Sequence, residues 1–134
     1  MSERRRAVLQ LTVDGEQVEV PDRGQSLLDL LREDLGNRAP KDGCSPQGQC
    51  GCCTVLVDGK PRVACVTPAR RVEGRTVTTI DGLPHDDAAR WAGAFAATGA
   101  SQCGFCTPGI ICRLEALRLE RPDAPHSAVE QSLL

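Results

Sequence analysis

The chain has 134 residues, a quarter of them charged, and a net charge of −2. That length holds one domain or two small ones, each with a modest core. The balanced charge and the near absence of aromatics (Trp91, Phe95, Phe105 and no tyrosine) suit neither a phosphate-binding surface nor a base-stacking platform, so no nucleic-acid partner is expected.

The basic run Arg4-Arg5-Arg6 is followed by Val8–Val13, which alternates and lacks the continuous apolar stretch of an export signal. It reads as a solvated tail leading into a first strand. Val8–Val13 and Gln17–Val20 flank Asp14-Gly15, a hairpin signal. Ser26 to Gly36 reads as an amphipathic helix: Leu27, Leu30, Leu31 and Leu35 share a face, Ser26 caps the start and Gly36 ends it. Thr54–Val57, Asp58-Gly59 and Arg62–Val66 repeat the hairpin device, and Val72 with Thr76–Ile80 supplies a last strand or two. After Asp81-Gly82 the texture becomes helical. Ala88, Trp91, Ala92, Phe95 and Ala96 form one stripe, closed by Gly99. Thr107 and Pro108, as cap and first helical residue, open another helix with the stripe Ile110, Ile111, Leu114 and Leu117. Ser127 to Glu130 is a capping-box start for a third helix, which Leu134 leaves scarcely begun. The expected domains are 1–82 and 83–134. No segment is long enough to cross a bilayer, and the expected location is cytoplasmic.

Eight cysteines are the anomaly. In an unexported chain such density points to metal or redox chemistry before a disulfide framework. Cys44, Cys50 and Cys53 lie on one tight loop and Cys65 follows on a strand, a set that can enclose an inorganic centre. Gly43, Gly48 and Gly51 let that backbone bend and aim N–H groups at anionic sulfur. The spacing is close to the plant-type ferredoxin pattern, with one residue too many between Cys44 and Cys50. A second pair, Cys103 and Cys106, stands before a helix whose N-terminal partial charge suits an anionic cluster. Two cysteines are only half a thiolate set.

Five stretches together carry a resemblance to a known family. They are Gly51-Cys52-Cys53-Thr54-Val55 with Asp58-Gly59, Val63-Ala64-Cys65, Thr79-Ile80-Asp81-Gly82-Leu83, and Gln102-Cys103-Gly104-Phe105-Cys106-Thr107-Pro108-Gly109. The chain resembles the small iron–sulfur subunit of the molybdenum hydroxylases, the family of xanthine dehydrogenase, aldehyde oxidoreductase and carbon monoxide dehydrogenase. The resemblance implies an α+β chain: a plant-ferredoxin-like (β-grasp) domain, then an all-α helical-bundle domain that is cut short. It implies one [2Fe–2S] cluster on Cys44, Cys50, Cys53 and Cys65, and a second with Cys103 and Cys106 as two ligands. The remaining two, a Cys-x-Cys pair in this family, would fall beyond Leu134. Gln102 would lie near the pterin of the molybdenum cofactor in a large partner subunit, and electrons would pass on to FAD in a medium subunit of the same hetero-oligomer. This chain would carry no substrate chemistry of its own.

Two other readings compete. A free-standing ferredoxin would have no need of the helical half and would more often be strongly acidic. A zinc-binding adaptor could use Cys50/Cys53 and Cys103/Cys106, but would leave Cys44 and Cys65 over. Cys52 and Cys112 read as small packed thiols, His85 and His126 as solvated loop residues, and Trp91 and Phe95 as core.

Overall fold

A computed structural model describes residues 7–133; the Arg4-Arg5-Arg6 run lies outside the described residues. Five strands form one sheet in the order β2-β1-β5-β3-β4. Strands β1 (Val8–Val13) and β2 (Glu16–Pro21) are antiparallel, as are β3 (Thr54–Val57) and β4 (Lys60–Val63). Both hairpins turn on two residues of positive φ, Asp14 and Gly15 at 50° and 85°, Asp58 and Gly59 at 51° and 80°. That is the backbone of a type I′ turn, and it is why Asp-Gly stands at both. The last strand, β5 (Thr76–Thr78), runs parallel to β1 and antiparallel to β3. The two-residue turn pairs Val57 with Lys60, so β4 begins and ends earlier than the alternation suggests. Ala64–Val66 leaves the sheet as a 3₁₀ turn, and Val72 closes another such turn in place of a strand.

Ser26 caps the first helix as expected, its Oγ accepting from the Asp29 amide at 3.1 Å. The α-helical part, α1 (Leu27–Asp29), passes at once into a π-helical stretch, Leu30–Asp34. Leu28 is buried beside Leu27, Leu30 and Leu31, while Leu35 stays at the rim. These leucines cover the sheet face made by Leu9, Leu11, Val13, Val55, Val57 and Val77. Complete burial of each is worth about 1.5–3 kcal/mol.

The opposite face of β3 is covered as well. Leu56 packs with Leu83, Ile111 and Ala116, with Ala88, Trp91 and Phe95 at the margin. All four residues of β3 are therefore buried, as expected of a strand between two layers. The helices here are α2 (His85–Thr98), α3 (Thr107–Glu120) and α4 (His126–Ser132). Gly99 ends α2 in the left-handed region. Several expectations need correction. Cys106 occupies the cap position of α3 and Thr107 is its first residue. Ser127 lies inside α4, which has Pro125 at its cap. His85 and His126 open helices and are not loop residues; His126 sits 3.1 Å from Glu130. The inward residues of α3 are Gly109, Ile111, Cys112, Glu115 and Ala116, whereas Ile110, Leu114 and Leu117 are only half-buried. The reason is that α3 lies between the sheet and α4, so no single stripe describes it. On α2 the stripe is half right: Trp91 and Phe95 are half-buried, Ala92 and Ala96 exposed. Buried Glu115 ties these helices together, accepting from Trp91 Nε1 and pairing with Arg118, which also reaches Asp87 at 3.4 Å.

Sheet and helices are joined at Asp14. Its carboxylate accepts from the Thr79 amide at 2.7 Å, the Thr79 hydroxyl at 2.7 Å and Asn37 Nδ2 at 3.2 Å. A side chain at Gly82 would meet Asp14 Oδ1 at 2.1 Å, so glycine is required there. Asp14→Ala removes all three hydrogen bonds beside fully buried Thr79 and puts alanine at a positive φ. It should lower unfolding free energy by about 2–4 kcal/mol. Urea denaturation checks this, and a change below ~0.5 kcal/mol, ordinary for surface sites, would refute it.

Candidate metal centre

The segment from Lys41 to Cys53 is a closed loop, its neck held by the Lys41 amide on the Cys52 carbonyl at 3.0 Å. Ser45, Gly48 and Gly51 have φ of 57°, 69° and 70°, and these left-handed residues curl the loop and absorb its extra length. Gly43 serves differently. A Cβ there would lie 3.0 Å from Cys50 Sγ, 3.3 Å from Cys52 Sγ and 3.1 Å from the Phe105 ring, so its bare face gives these groups room.

The curl turns amides toward sulfur. Cys44 Sγ accepts from the Gln47 amide at 3.1 Å, and the amides of Cys50 and Gln49 also point at it. These N–H groups, Cys50's first, hold the Cys44 thiol down to about 6. The Cys50 thiol lies near that of Cys44, and Cys50 Sγ accepts from the Cys52 amide at 3.4 Å. On the inner side, Cys53 Sγ accepts from the Cys65 amide at 3.4 Å and the two thiols lie near each other. Burial, followed by contact with Cys53, pushes the Cys65 thiol up to about 12, while the Gly48 amide works the other way. Both sulfurs are almost inaccessible, whereas Cys50 is exposed.

The structure thus brings Cys44, Cys50, Cys53 and Cys65 together as two pairs of free thiols, one shallow and one deep. Among the described residues no three of His, Cys, Asp or Glu close around a single point. A mononuclear tetrahedral ion needs four donors about one centre. A two-iron cluster divides four thiolates between two metals, and the paired arrangement fits that division. Metal uptake would deprotonate Cys65, since a coordinating thiol gives up its proton outright.

The loop before α3 bends at Gly104, with φ of 84°, and a 2.8 Å hydrogen bond between the Ser101 and Thr107 hydroxyls closes it. Gln102, Cys103 and Cys106 all lie exposed on it. Phe105 extends from this loop to the Gly43 face, so the two cysteine loops are neighbours. Cys52 and Cys112 stand apart from the pairs. Burial, ahead of the adjoining Cys50 thiol, pushes Cys52 up to about 11. Cys112 lies inside α3, where burial and then nearby Asp14 and Glu115 raise it to about 12. Sequence reasoning named Thr54 and Gly109 within the resembling stretches and assigned neither a role. Thr54 Oγ1 donates to the Gly51 carbonyl at 2.7 Å, and Gly109 packs on that carbonyl. A glycine in a helix's first turn, at a cost of about 1 kcal/mol against alanine, was the available signal of close backbone contact.

A sheet crossed by one helix, with paired thiols on a glycine-rich loop and a second thiol pair on a helical half, defines a two-part iron–sulfur protein. Two family models match it in tandem: "2Fe-2S iron-sulfur cluster binding domain" over residues 11–76 and "[2Fe-2S] binding domain" over 79–133. A nicotinate dehydrogenase subunit of Pseudomonas putida is 38% identical, with 93% of this chain and 80% of that one covered. The small FeS subunit of nicotinate dehydrogenase from Eubacterium barkeri is 41% identical, covering 78% of this chain and 66% of that one. The aldehyde oxidoreductase of Desulfovibrio gigas superposes with a TM-score of 0.86 at 36% identity, over 94% of this chain and 14% of that one. The chain belongs to the family of iron–sulfur subunits of the molybdenum hydroxylases. It spans 56–66% of the length of several curated relatives.

Cys52→Ser and Cys112→Ser should leave the visible absorbance of the iron-loaded protein unchanged. Loss of colour in either variant would make that cysteine a ligand.

Proposed function

We propose that this chain is the electron relay of a molybdenum-containing hydroxylase, with Cys44, Cys50, Cys53 and Cys65 holding one [2Fe–2S] cluster and Cys103 and Cys106 supplying half the ligands of a second. The observation that carries the reading is the convergence of the first four thiols as two pairs, where the amide-lined loop meets the turn that carries Cys65. When bound, the clusters supply one-electron redox chemistry between the molybdenum cofactor of a large partner and the FAD of a medium partner.

The chain's own residues set the conditions for that traffic. Amides of Gln47, Gln49 and Cys50 stabilise negative charge at the shallow pair, and the Gly48 amide does so at the deep pair. Burial of Cys53 and Cys65 keeps water from the inner side, while exposed Cys50 leaves the outer side open to a redox partner. Gln102 is free on the surface to meet the pterin of the large partner. In the Desulfovibrio gigas aldehyde oxidoreductase the matching part is 14% of one long chain. That supports larger partners bearing the rest of the machinery here, and substrate choice residing with them. Among the described residues no helix is long and apolar enough to cross a membrane, in keeping with a cytoplasmic complex.

The purified complex should be brown and should bleach with dithionite; a colourless, zinc-containing protein would overturn the assignment. Cys53→Ser should abolish the first cluster's absorbance and its share of iron while the helical half keeps its fold. Native protein that migrates alone, without two larger subunits, would favour a free-standing ferredoxin.

A further inference from the structure

Gly109 is buried on the third residue of α3, against the loop that carries Cys50, Cys52 and Cys53. A Cβ at this position would lie 2.3 Å from the Gly51 carbonyl oxygen and 3.0 Å from both Cα and C of Cys52. All three are backbone atoms, so no flexible side chain can move aside. Nor can the carbonyl swing away easily, because it accepts from the Thr54 amide at 3.1 Å and from Thr54 Oγ1 at 2.7 Å. Thr54 is itself buried in β3, with both faces of that strand covered.

The same helical turn holds Cys106. Its carbonyl accepts from the Ile110 amide at 3.1 Å, which makes Cys106 part of the first turn of α3. Cys106 therefore moves with Gly109. On the other side of the contact, Gly51 and Cys52 sit between Cys50 and Cys53. Cys52 is close enough to Cys106 to feel its charge, and Phe105 rests on the Gly43 face beside Cys50. At Gly109 the two cysteine groups meet backbone to backbone, with no side chain between them.

We infer that Gly109 is the spacer that sets the separation of the two iron–sulfur sites, and that its missing side chain keeps them close enough for fast electron exchange. The inference rests on the reading that both cysteine groups hold clusters. Alanine at 109 needs at least 0.7 Å more room to reach the 3.0 Å that real contacts respect. With the Gly51 carbonyl locked, α3 must retreat and carry Cys106 with it. Electron tunnelling falls exponentially with distance, and dipolar coupling between unpaired spins falls with its cube, so a small retreat is measurable. Gly109 is a positioning residue and touches no reacting atom.

The test is electron paramagnetic resonance of the dithionite-reduced, cluster-loaded complex, alongside iron content and the rate of cluster-to-cluster equilibration after flash reduction. In Gly109→Ala both cluster signals and the iron content should persist. The spin–spin splitting should shrink, and equilibration should slow severalfold. Gly93→Ala serves as the control: Gly93 is helical and has nothing within 4 Å of its would-be Cβ, so splitting and rate should match the parent. Unchanged splitting and rate in Gly109→Ala would overturn the proposal. Should that variant fail to assemble, adding Thr54→Val, which leaves the Gly51 carbonyl with one bond in place of two and free to yield, should restore assembly with splitting close to the parent's. Failure to restore it would also overturn the proposal. Absence of a second cluster's signal in the parent complex would instead count against the functional reading, a separate outcome.

Discussion

Four residues with no exposed face, Thr54 to Val57, hold this molecule together. Strand β3 is hydrogen-bonded on both edges and covered on both faces, by the leucines of the first helix on one side and by α3 on the other. The cysteine loop enters it directly, with Cys53 preceding Thr54. Any other placement of β3 would separate Cys53 from Cys65, because the β3–β4 hairpin register is what returns the chain to the Cys53 sulfur. The deep thiol pair is thus a consequence of strand register. The shallow pair is a consequence of loop curvature.

That division explains the unequal environments of the four thiols. Cys44 is surrounded by amides, which favour its negative charge, and Cys50 beside it is reached by solvent. Cys53 and Cys65 lie in the main core, where charge without a partner is costly. A metal-free site therefore favours the protonated thiol at Cys65 and eases proton loss at Cys44. A cationic centre between the pairs would resolve the imbalance, and this is the sense in which the scaffold is shaped for a cluster before any iron arrives.

Much of this was legible in the residues. Asp14-Gly15 and Asp58-Gly59 announce turns that demand positive φ, Ser26 announces a helix start, and Gly99 a helix end, since each device is local and has few structural alternatives. The cysteine positions were legible for the same reason: thiols at those intervals have little else to do. What escaped is everything decided by contact between distant segments. The stripe of α3 was misread because that helix packs on two sides, and Ile110, Leu114 and Leu117 proved peripheral beside Gly109, Cys112 and Glu115. A buried carboxylate bonded to Trp91 and Arg118 has no signature in periodicity. The end of β4 was misplaced because the hairpin register overrides apolar alternation beyond Val63.

The central claim is that two metals, not one, sit between Cys44/Cys50 and Cys53/Cys65. Crystals of the as-isolated protein, measured at the iron absorption edge, test it most directly. The account predicts two adjacent anomalous peaks, the outer bonded to Cys44 and Cys50 and the inner to Cys53 and Cys65. A single peak ringed by all four sulfurs, or density joining those sulfurs as cystines, would contradict it.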